Sequence, residues 1–290
     1  MLKRLPDRDI DPILRAILEQ ARNATDALEI PFFVGGAMAR DIILTHVFGQ
    51  EVKRATRDVD LGLYLDGWDR FRKLKDVLVA KGLFHTVPGK PHRLHYGYPT
   101  GIPLDLIPFG GIEHPVGEIA WPPGNDVVLN VAGFEDAYRS ALVVDLGGGL
   151  VIRTCALPAL AVLKLIAWHD RRKSSNKDAT DLLFIAQNYA AADNMDRLYQ
   201  SESELMEAVD YNPELAGAYL LGKDAALQSG NDTAAFAKAI LGNGVLQQEL
   251  IDQIIRAKAA SQSREDEQRY TQYLDGFRTS FLKQLSELGQ

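Results

Sequence analysis

This chain of 290 residues has a single cysteine, Cys155, so it holds no pair from which an internal disulfide could form. A lone thiol is typical of proteins that work in a reducing compartment, and we therefore expect a cytoplasmic location. Cys155 lies in an apolar stretch, where an inert buried thiol is the expected role. Small secreted folds that depend on a disulfide framework are excluded.

Long apolar runs are also missing from the sequence. No stretch approaches the roughly 20 apolar residues that a membrane span requires. The basic N-terminal residues are not followed by the apolar core of a signal peptide. We therefore expect no membrane partner. The chain has no internal repeat, and its 46% hydrophobic and 24% charged residues are those of an ordinary globular protein.

Basic residues are fewer than acidic residues, 32 against 39, which gives a formal net charge of −7. This balance argues against a broad nucleic-acid-binding surface. The distribution is uneven: residues 164–177 hold five basic residues and one acidic residue, whereas residues 178–290 hold nine basic and eighteen acidic residues. A local basic pocket in an acidic body suits a small polyanion, such as a nucleoside triphosphate (NTP), or one end of an RNA.

Residues 30–48 join a predicted strand to a predicted helix through two glycines. Ile30–Val34 is a short apolar run typical of a buried strand, and Ala37–Phe48 has helical spacing. Gly35 and Gly36 between them permit a tight turn and the close approach of a ligand. A helix N-terminus offers N–H donors and a partial positive charge, which suits a phosphate. Gly-Gly is also common as a plain tight turn, so this segment is informative only in combination with the acidic residues after it.

Two aspartates open the next predicted strand. Asp58 and Asp60 lie on one side of it, and Val59 and Leu61 lie on the other. Two neighbouring carboxylates repel each other unless a cation lies between them, and hard oxygen ligands favour Mg²⁺. Phosphate donors followed by a metal-binding pair predict a site for an NTP.

In this order and spacing, the glycines and the acids resemble the GG…DxD signature of the DNA polymerase β nucleotidyltransferase superfamily. That superfamily adds a third carboxylate on a later strand, and Asp105 in the predicted strand Pro103–Phe109 supplies one. Leu104 and Leu106 face the other way, so Asp105 stands alone on its side. The resemblance implies that Asp58, Asp60 and Asp105 carry Mg²⁺; the structural alternative for Asp105 is edge-strand solubility.

A second group of charged residues lies further along the chain. Lys164 is the one charged residue in the otherwise nonpolar helix 157–168, and Arg171 lies seven residues on, on the same face. The next helix opens with Asp178 and Asp181, whose i, i+3 spacing places them on one face. One interpretation is a structural ion-pair cluster between two helices. In the other, Lys164 contacts triphosphate oxygens, Asp178 or Asp181 orients it, and Arg171 assists.

The whole order of motifs is similar to the AbiEii-type nucleotidyltransferase family over roughly residues 30–190. The segments that carry the resemblance are GGAMAR, TRDVD, the lone strand aspartate, LKLIAWHDR and KDATDL. Many members of that family are toxins of toxin–antitoxin or phage-defence pairs. The resemblance implies that Lys164 matches the family's lysine and that either Asp178 or Asp181 matches its late acid. The residues implied to bind the nucleotide are Gly35, Gly36, Arg40, Arg171, Asp178 and Asp181.

Two departures from related patterns stand out around the glycines. Many AbiEii-type members have Gly-Ser where this chain has Gly35-Gly36, so a serine contact to phosphate would be missing. The tRNA CCA-adding and poly(A) polymerases carry Gly-Gly-x-x-Arg-Asp. This chain has one more residue before Arg40, which shifts the arginine around the helix.

We expect an α+β fold with two domains. Residues 1–156 would form a polymerase-β-like nucleotidyltransferase domain with a small mixed sheet, and residues 157–290 an all-α domain, since Pro158 is well placed at a helix start. The site is expected between the domains. Helical periodicity predicts a first helix over residues 7–29 and seven C-terminal helices over residues 158–172, 177–190, 201–209, 213–229, 232–241, 245–260 and 264–287.

The expected reaction is Mg²⁺-dependent transfer of a nucleoside monophosphate from an NTP donor to a hydroxyl. Candidate acceptors are an RNA or tRNA 3′ end and a protein hydroxyl. The chain would then act as the toxin of a toxin–antitoxin pair with an antitoxin protein as partner. The alternatives are a small-molecule, antibiotic-type nucleotidyltransferase, and a non-catalytic regulatory or binding protein on the same fold.

Overall fold

The computed structural model describes residues 1–51, 56–97, 101–258 and 263–289. The chain divides into two compact units, Met1–Ala156 and Leu157–Gln290. The predicted end of the helix 245–260 lies outside the described residues. No helix in the described ranges is long and apolar enough to cross a membrane.

The first unit is built on a mixed sheet of eight strands in the order β1-β9-β10-β2-β3-β6-β5-β4. Its strands are β1 (Leu2–Lys3), β2 (Phe32–Gly35), β3 (Val59–Tyr64), β4 (Phe84–Val87), β5 (Lys90–Tyr96), β6 (Ile102–Phe109), β9 (Leu142–Asp145) and β10 (Val151–Thr154). A separate antiparallel pair consists of β7 (Glu118–Ala120) and β8 (Val128–Asn130). The helices of this unit are α1 (Pro12–Ala27), α2 (Gly36–Asp41), α3 (Trp68–Ala80) and α4 (Phe134–Arg139).

Side-chain alternation gives β3 and β6 one buried face. On β3, Val59, Leu61 and Leu63 are fully buried, and on β6 so are Leu104 and Leu106. Helices α1 and α3 pack against each other, and α1 also contacts β3. The opposite face of the same two strands is the one that presents their aspartates.

The first helix begins later than residue 7. Asp11 caps it, because its carboxylate accepts hydrogen bonds from the backbone N–H groups of Ile13 and Leu14 at 2.8 and 3.2 Å. Pro12 then occupies the first helical position. The prediction over residues 7–29 was therefore too long at both ends. The apolar stripe that prompted it does face the core, since Leu14, Ile17 and Leu18 are buried.

The predicted helix Ala37–Phe48 divides into two parts. Helix α2 ends at Asp41 and continues as a π-helical segment, Ile42–Val47. Ile42, Ile43 and Leu44 are consecutive and all essentially inaccessible to solvent. A segment that is buried on every side shows no apolar stripe, so hydrophobic spacing does not distinguish a π turn from an α turn here.

The second unit is all helical in the described residues. Its helices are α5 (Leu157–Arg171), α6 (Lys177–Asn188), α7 (Met195–Tyr199), α8 (Ser203–Glu207), α9 (Pro213–Gln228), α10 (Asn231–Leu241), α11 (Gly244–Lys258) and α12 (Arg264–Glu287). The predicted helix 201–209 is shorter in the structure, where it is α8, and the short helix α7 before it was not predicted. Helix α12 has the predicted bounds, and a capping box of Ser263 and Asp266 defines its start.

Helix α9 lies at the centre of the second unit and packs against α5, α6 and α12. Its backbone approaches α12 closely at Gly222, where a Cβ atom would overlap the carbonyl oxygen of Phe277 and lie 2.9 Å from its carbonyl carbon. A glycine inside a helix costs about 1 kcal/mol relative to alanine. The close approach of two helices is the physical reason for accepting that cost here.

Candidate active site

Four residues form one row across four neighbouring strands of the sheet. The strand registers pair Gly35 of β2 with Asp60 of β3, Asp60 with Asp105 of β6, and Asp105 with Arg93 of β5. Paired residues on neighbouring strands present their side chains on the same face. The glycine, two of the predicted acids and one arginine therefore share one face of the sheet.

Asp60 lies directly against the glycine turn. Gly36 has φ +59°, a left-handed conformation that favours glycine. A Cβ atom at Gly36 would overlap Oδ2 of Asp60 and lie 2.7 Å from its Cγ. The second glycine is thus required by both backbone conformation and space, since the carboxylate occupies the volume that a side chain would need.

The remaining acid of the predicted pair, Asp58, lies just before β3 and two residues ahead of Asp60. Both side chains are partly exposed, whereas Val59 between them is buried. The segment leading to Asp58 is held by Asp41, whose Oδ2 accepts hydrogen bonds from Thr56 N at 3.2 Å and Thr56 Oγ1 at 2.6 Å. Asp41 therefore connects the end of α2 to the approach of the acidic pair.

Arg40 forms a buried ion pair with its neighbour Asp41. Its Nε and Nη2 atoms lie 2.8 and 2.6 Å from Asp41 Oδ1. Each of the two residues retains 7% of its accessible surface. This contact gives Arg40 a structural partner in the turn, and its role in nucleotide binding stays a prediction.

Arg93 engages both carboxylate oxygens of Asp105. Arg93 Nε lies 2.6 Å from Oδ1 and Nη2 lies 2.5 Å from Oδ2, a bidentate geometry. The hydrogen bonds that Arg93 donates to Asp105 raise the pKa of Arg93, against the opposing effect of burial, and the charges of Asp60 and Asp58 raise it further. All three carboxylates therefore act on this guanidinium, and Asp105 is only 8% exposed.

The donor set can be compared with the needs of a divalent cation. Carboxylate oxygens on adjacent strands suit a hard cation such as Mg²⁺ in chemistry and in place. In the described residues, however, no three His, Cys, Asp or Glu side chains converge closely enough to hold a metal ion. Because Asp105 gives both oxygens to Arg93, it would have to turn towards Asp60 to join such a site.

Strand β5 brings further basic side chains beside the acids. Lys90, His92, Arg93 and His95 all belong to it, and no acidic residue does. Burial lowers the pKa of His92, while the charge of Asp105 acts in the opposite direction. Its ring lies 5.7 Å from that of Trp121. Sequence reasoning missed Arg93 as the partner of Asp105, because the strand register that pairs the two residues has no local signal.

The second predicted group of residues comes together within the helical unit. Lys164 Nζ on α5 lies 3.2 Å from Asp178 Oδ1 and 2.6 Å from Asp181 Oδ2 on α6. Arg171 Nη2 lies 2.7 Å from Asp178 Oδ2. The side chains of Lys164 and Asp178 are 11% and 4% exposed. This is the geometry expected of a structural cluster, and the same contacts would orient a lysine that meets phosphate, so both interpretations remain.

The sequence matches a known family of nucleotidyltransferases. A model of the family described as "Nucleotidyl transferase AbiEii toxin, Type IV TA system" matches residues 17–281, which is most of the chain. The chain belongs to the AbiEii nucleotidyl transferase family. This membership makes the protein a nucleotidyltransferase. No curated protein matches it.

The solved structures that match this AbiEii-family chain have low sequence identity to it and TM-scores below 0.5. A crystal structure of ANT(2″)-Ia in complex with adenylyl-2″-tobramycin is 15% identical, with a TM-score of 0.37, covering 59% of this chain and 86% of that one. A solution structure of the antibiotic-resistance factor ANT(2″)-Ia is 14% identical, with a TM-score of 0.39 and coverages of 70% and 99%. The Thermotoga maritima CCA-adding enzyme complexed with tRNA is 10% identical, with a TM-score of 0.26 and coverages of 98% and 84%.

In this AbiEii-family chain, the second glycine of the Gly-Gly pair is explained by its contact with Asp60. A serine at position 36, as in the Gly-Ser of many members, would place its Cβ in the volume of the Asp60 carboxylate. In this chain a side chain at position 36 would require the Asp60 carboxylate to rotate and would also be strained by the positive φ of that position.

Proposed function

We propose that this protein transfers a nucleoside monophosphate from an NTP to a hydroxyl group, at the face of the sheet that carries Asp58, Asp60 and Asp105. The observation that supports this proposal most strongly is the strand register, which aligns Gly35, Asp60 and Asp105 in one row. A turn that lets a ligand approach the backbone thus lies beside two carboxylates.

Each residue of this site has a distinct proposed task. The backbone at Gly35 and Gly36 would contact the triphosphate beside the Asp60 carboxylate, which packs against Gly36. Asp58 and Asp60 would hold the divalent cation, with Asp105 as third ligand. Asp105 would also accept the proton of the attacking hydroxyl, which requires a carboxylate within hydrogen-bond reach of it. When bound, Mg²⁺ would neutralise the charge that develops on the phosphate oxygens.

Lys164 and Arg171 are also proposed to contact the triphosphate. Asp178 and Asp181 would orient the lysine, as their distances of 3.2 and 2.6 Å to its Nζ support. A cation held in place by two carboxylates loses little rotamer freedom when the anion arrives, because the cost of ordering its side chain is already met.

For the acceptor we propose an RNA, such as a tRNA 3′ end, or a protein hydroxyl. The family description, which names toxins of type IV toxin–antitoxin systems, supports a toxin role for this chain, with an antitoxin protein as partner. The single cysteine, which is free and buried, supports a cytoplasmic location.

The test uses NTPs labelled either at the α-phosphate or at the γ-phosphate, incubated with the protein, Mg²⁺ and total cellular RNA or lysate protein. Label from the α-position should appear in an acceptor and label from the γ-position should not, because pyrophosphate leaves. The labelled species identifies the acceptor class. Transfer of γ-label, or no transfer to any acceptor with any of the four NTPs, would contradict the proposal.

A further inference from the structure

Asp105 has two partners of opposite charge in the same row of the sheet. Asp60 lies beside it on β3 and Arg93 lies beside it on β5, each paired with it in register. Neighbouring strands are about 4.8 Å apart, so a small rotation of the Asp105 side chain decides which neighbour it meets. In the structure it meets Arg93, with both oxygens accepting hydrogen bonds.

Arg93 is the counter-charge that Asp105 meets in this row. Asp105 is nearly buried, and a buried carboxylate without a partner is strongly destabilising. The guanidinium therefore stabilises the Asp105 carboxylate while no cation is bound. The same contact directs both oxygens of Asp105 to Arg93 on β5, whereas Asp60 lies on β3 at the other side of β6, and it occupies two of about four lone-pair sites of the carboxylate.

We propose that Arg93 is a positioning residue that exchanges with the divalent cation for the carboxylate of Asp105. Without the cation, Arg93 holds Asp105 turned away from Asp60. When the cation binds, Asp105 leaves Arg93 and joins the acidic pair, so the third ligand of the site forms only in the loaded protein. The inference rests on the proposed metal-dependent function, and it adds a residue that the sequence motifs do not include.

The exchange makes a prediction that a purely structural ion pair does not make. Removing Arg93 should strengthen the binding of a divalent cation, since the competitor for Asp105 and a nearby positive charge are both lost. The expected gain is about tenfold or more in affinity, because charges a few Å apart interact strongly at a partly buried site. If Arg93 were only structural, the melting temperature would fall, and any gain in affinity from the lost charge would persist when Asp105 is also replaced.

The experiment measures Mn²⁺ binding by the electron paramagnetic resonance signal of free Mn²⁺, on the full chain without nucleotide, together with melting curves with and without Mn²⁺. The variants are Arg93→Gln, Arg93→Lys, Asp105→Asn and the double variant Arg93→Gln/Asp105→Asn. The matched control is Arg72→Gln, which removes an arginine from an exposed ion pair with Asp69, where both side chains are more than half exposed.

Arg93→Gln should melt lower without metal, bind Mn²⁺ about tenfold or more tightly, and gain more stability from Mn²⁺ than the wild type does. Arg93→Lys keeps the charge but loses the bidentate geometry, so its Mn²⁺ affinity should lie between those of the wild type and Arg93→Gln. This variant remains informative if Arg93→Gln does not fold. The gain should disappear in the double variant, because Asp105 is the shared partner.

Unchanged or weaker Mn²⁺ binding in Arg93→Gln and Arg93→Lys would overturn the inference. If the wild type still transferred nucleotide, that result would leave the proposed function standing and assign Arg93 a structural role only. If the wild type neither bound Mn²⁺ nor transferred nucleotide, both proposals would fail.

Discussion

Single residues in this protein are constrained by what their neighbours occupy. Gly36 is the plainest case, because its positive φ and the carboxylate of Asp60 each exclude a side chain. Gly-Gly on its own predicts only a tight turn, and the contact with Asp60 gives the second glycine its specific reason. The turn and the acidic strand are therefore one unit, in which a change at either position alters the other.

Gly36→Ala should destabilise the fold by about 1–3 kcal/mol, the cost of a strained left-handed residue, and should displace Asp60. We expect a lower melting temperature and a clear loss of nucleotide transfer. Gly244→Ala is the control, because position 244 begins a helix and has open space around it. It should be neutral or slightly stabilising. A Gly36→Ala variant as stable and as active as the wild type would contradict the close contact with Asp60.

At the scale of elements, helices α5 and α6 are linked by the ion pairs of Lys164 with Asp178 and Asp181. Replacing the lysine tests whether this cluster is structural or also binds the triphosphate. Lys164→Met should lower the melting temperature without ligand, because Asp181 loses a partner 2.6 Å away while Asp178 keeps Arg171. Breaking a buried pair typically costs about 3–5 kcal/mol, and the remaining Arg171 contact should place this variant at or below that range.

The second readout for Lys164→Met is the rise in melting temperature on adding Mg²⁺ and NTP, which depends on ligand affinity. If Lys164 contacts the triphosphate, this rise should largely vanish in the variant. Lys177→Met removes an exposed lysine at the start of α6 and should keep both the melting temperature and the rise. An intact rise in Lys164→Met, together with a lower melting temperature, would assign the lysine a structural role only.

Local sequence patterns predicted the elements that carry their own start signals or side-chain alternation, and they predicted poorly the elements whose form depends on packing. Helix α12 has the predicted bounds because Ser263 and Asp266 form a capping box that is visible in the sequence. The glycine turn and the Asp58–Asp60 strand were also found where their alternation places them. The π-helical segment was missed, because its consecutive buried residues form no stripe whose spacing would distinguish a π turn from an α turn.

In the candidate site, too, the sequence predicted single elements but not the contacts between them. Alternation along one strand predicts which side Asp105 faces, but its partner on the next strand depends on the pairing register, which the residues of a single strand do not specify. Arg93 was therefore missed although it lies only 12 residues before Asp105. Asp41 and Thr56 were missed for a related reason, since their contact joins two segments separated by a connector.

At the scale of the whole molecule, the net charge of −7 restricts how the protein can bind a nucleic acid. An acidic body repels phosphate at long range, so an RNA acceptor would have to bind through a few local basic contacts. Such contacts release counterions, which makes binding depend on salt. The acceptor class can therefore be read from the salt dependence of the reaction.

With RNA as acceptor, kcat/KM should fall about tenfold or more between roughly 50 and 200 mM salt if a few phosphates are contacted. With a small-molecule acceptor the dependence should be shallow. The same salt series on the NTP-induced melting shift is the control, because it isolates the effect on the donor. A flat profile with RNA would count against an RNA-binding surface and would favour a protein or small-molecule acceptor.

The central claim is that the row of acids on β3 and β6 carries out nucleotide transfer, and one comparison tests it most directly. The rate of α-label transfer from NTP is measured for the wild type, Asp60→Asn and Asp66→Asn. The last is a matched control, because Asp66 follows β3 and its side chain is 75% exposed. Melting curves of all three report whether the fold is kept.

Asp60→Asn should lose at least about a hundredfold in rate, the scale of loss when a group that stabilises the transition state is removed. Its melting temperature should stay equal or rise slightly, since one of two mutually repelling acids is gone. Asp58→Asn should behave in the same way, and Asp66→Asn should match the wild type. A folded Asp60→Asn protein that transfers label at the wild-type rate would contradict the account.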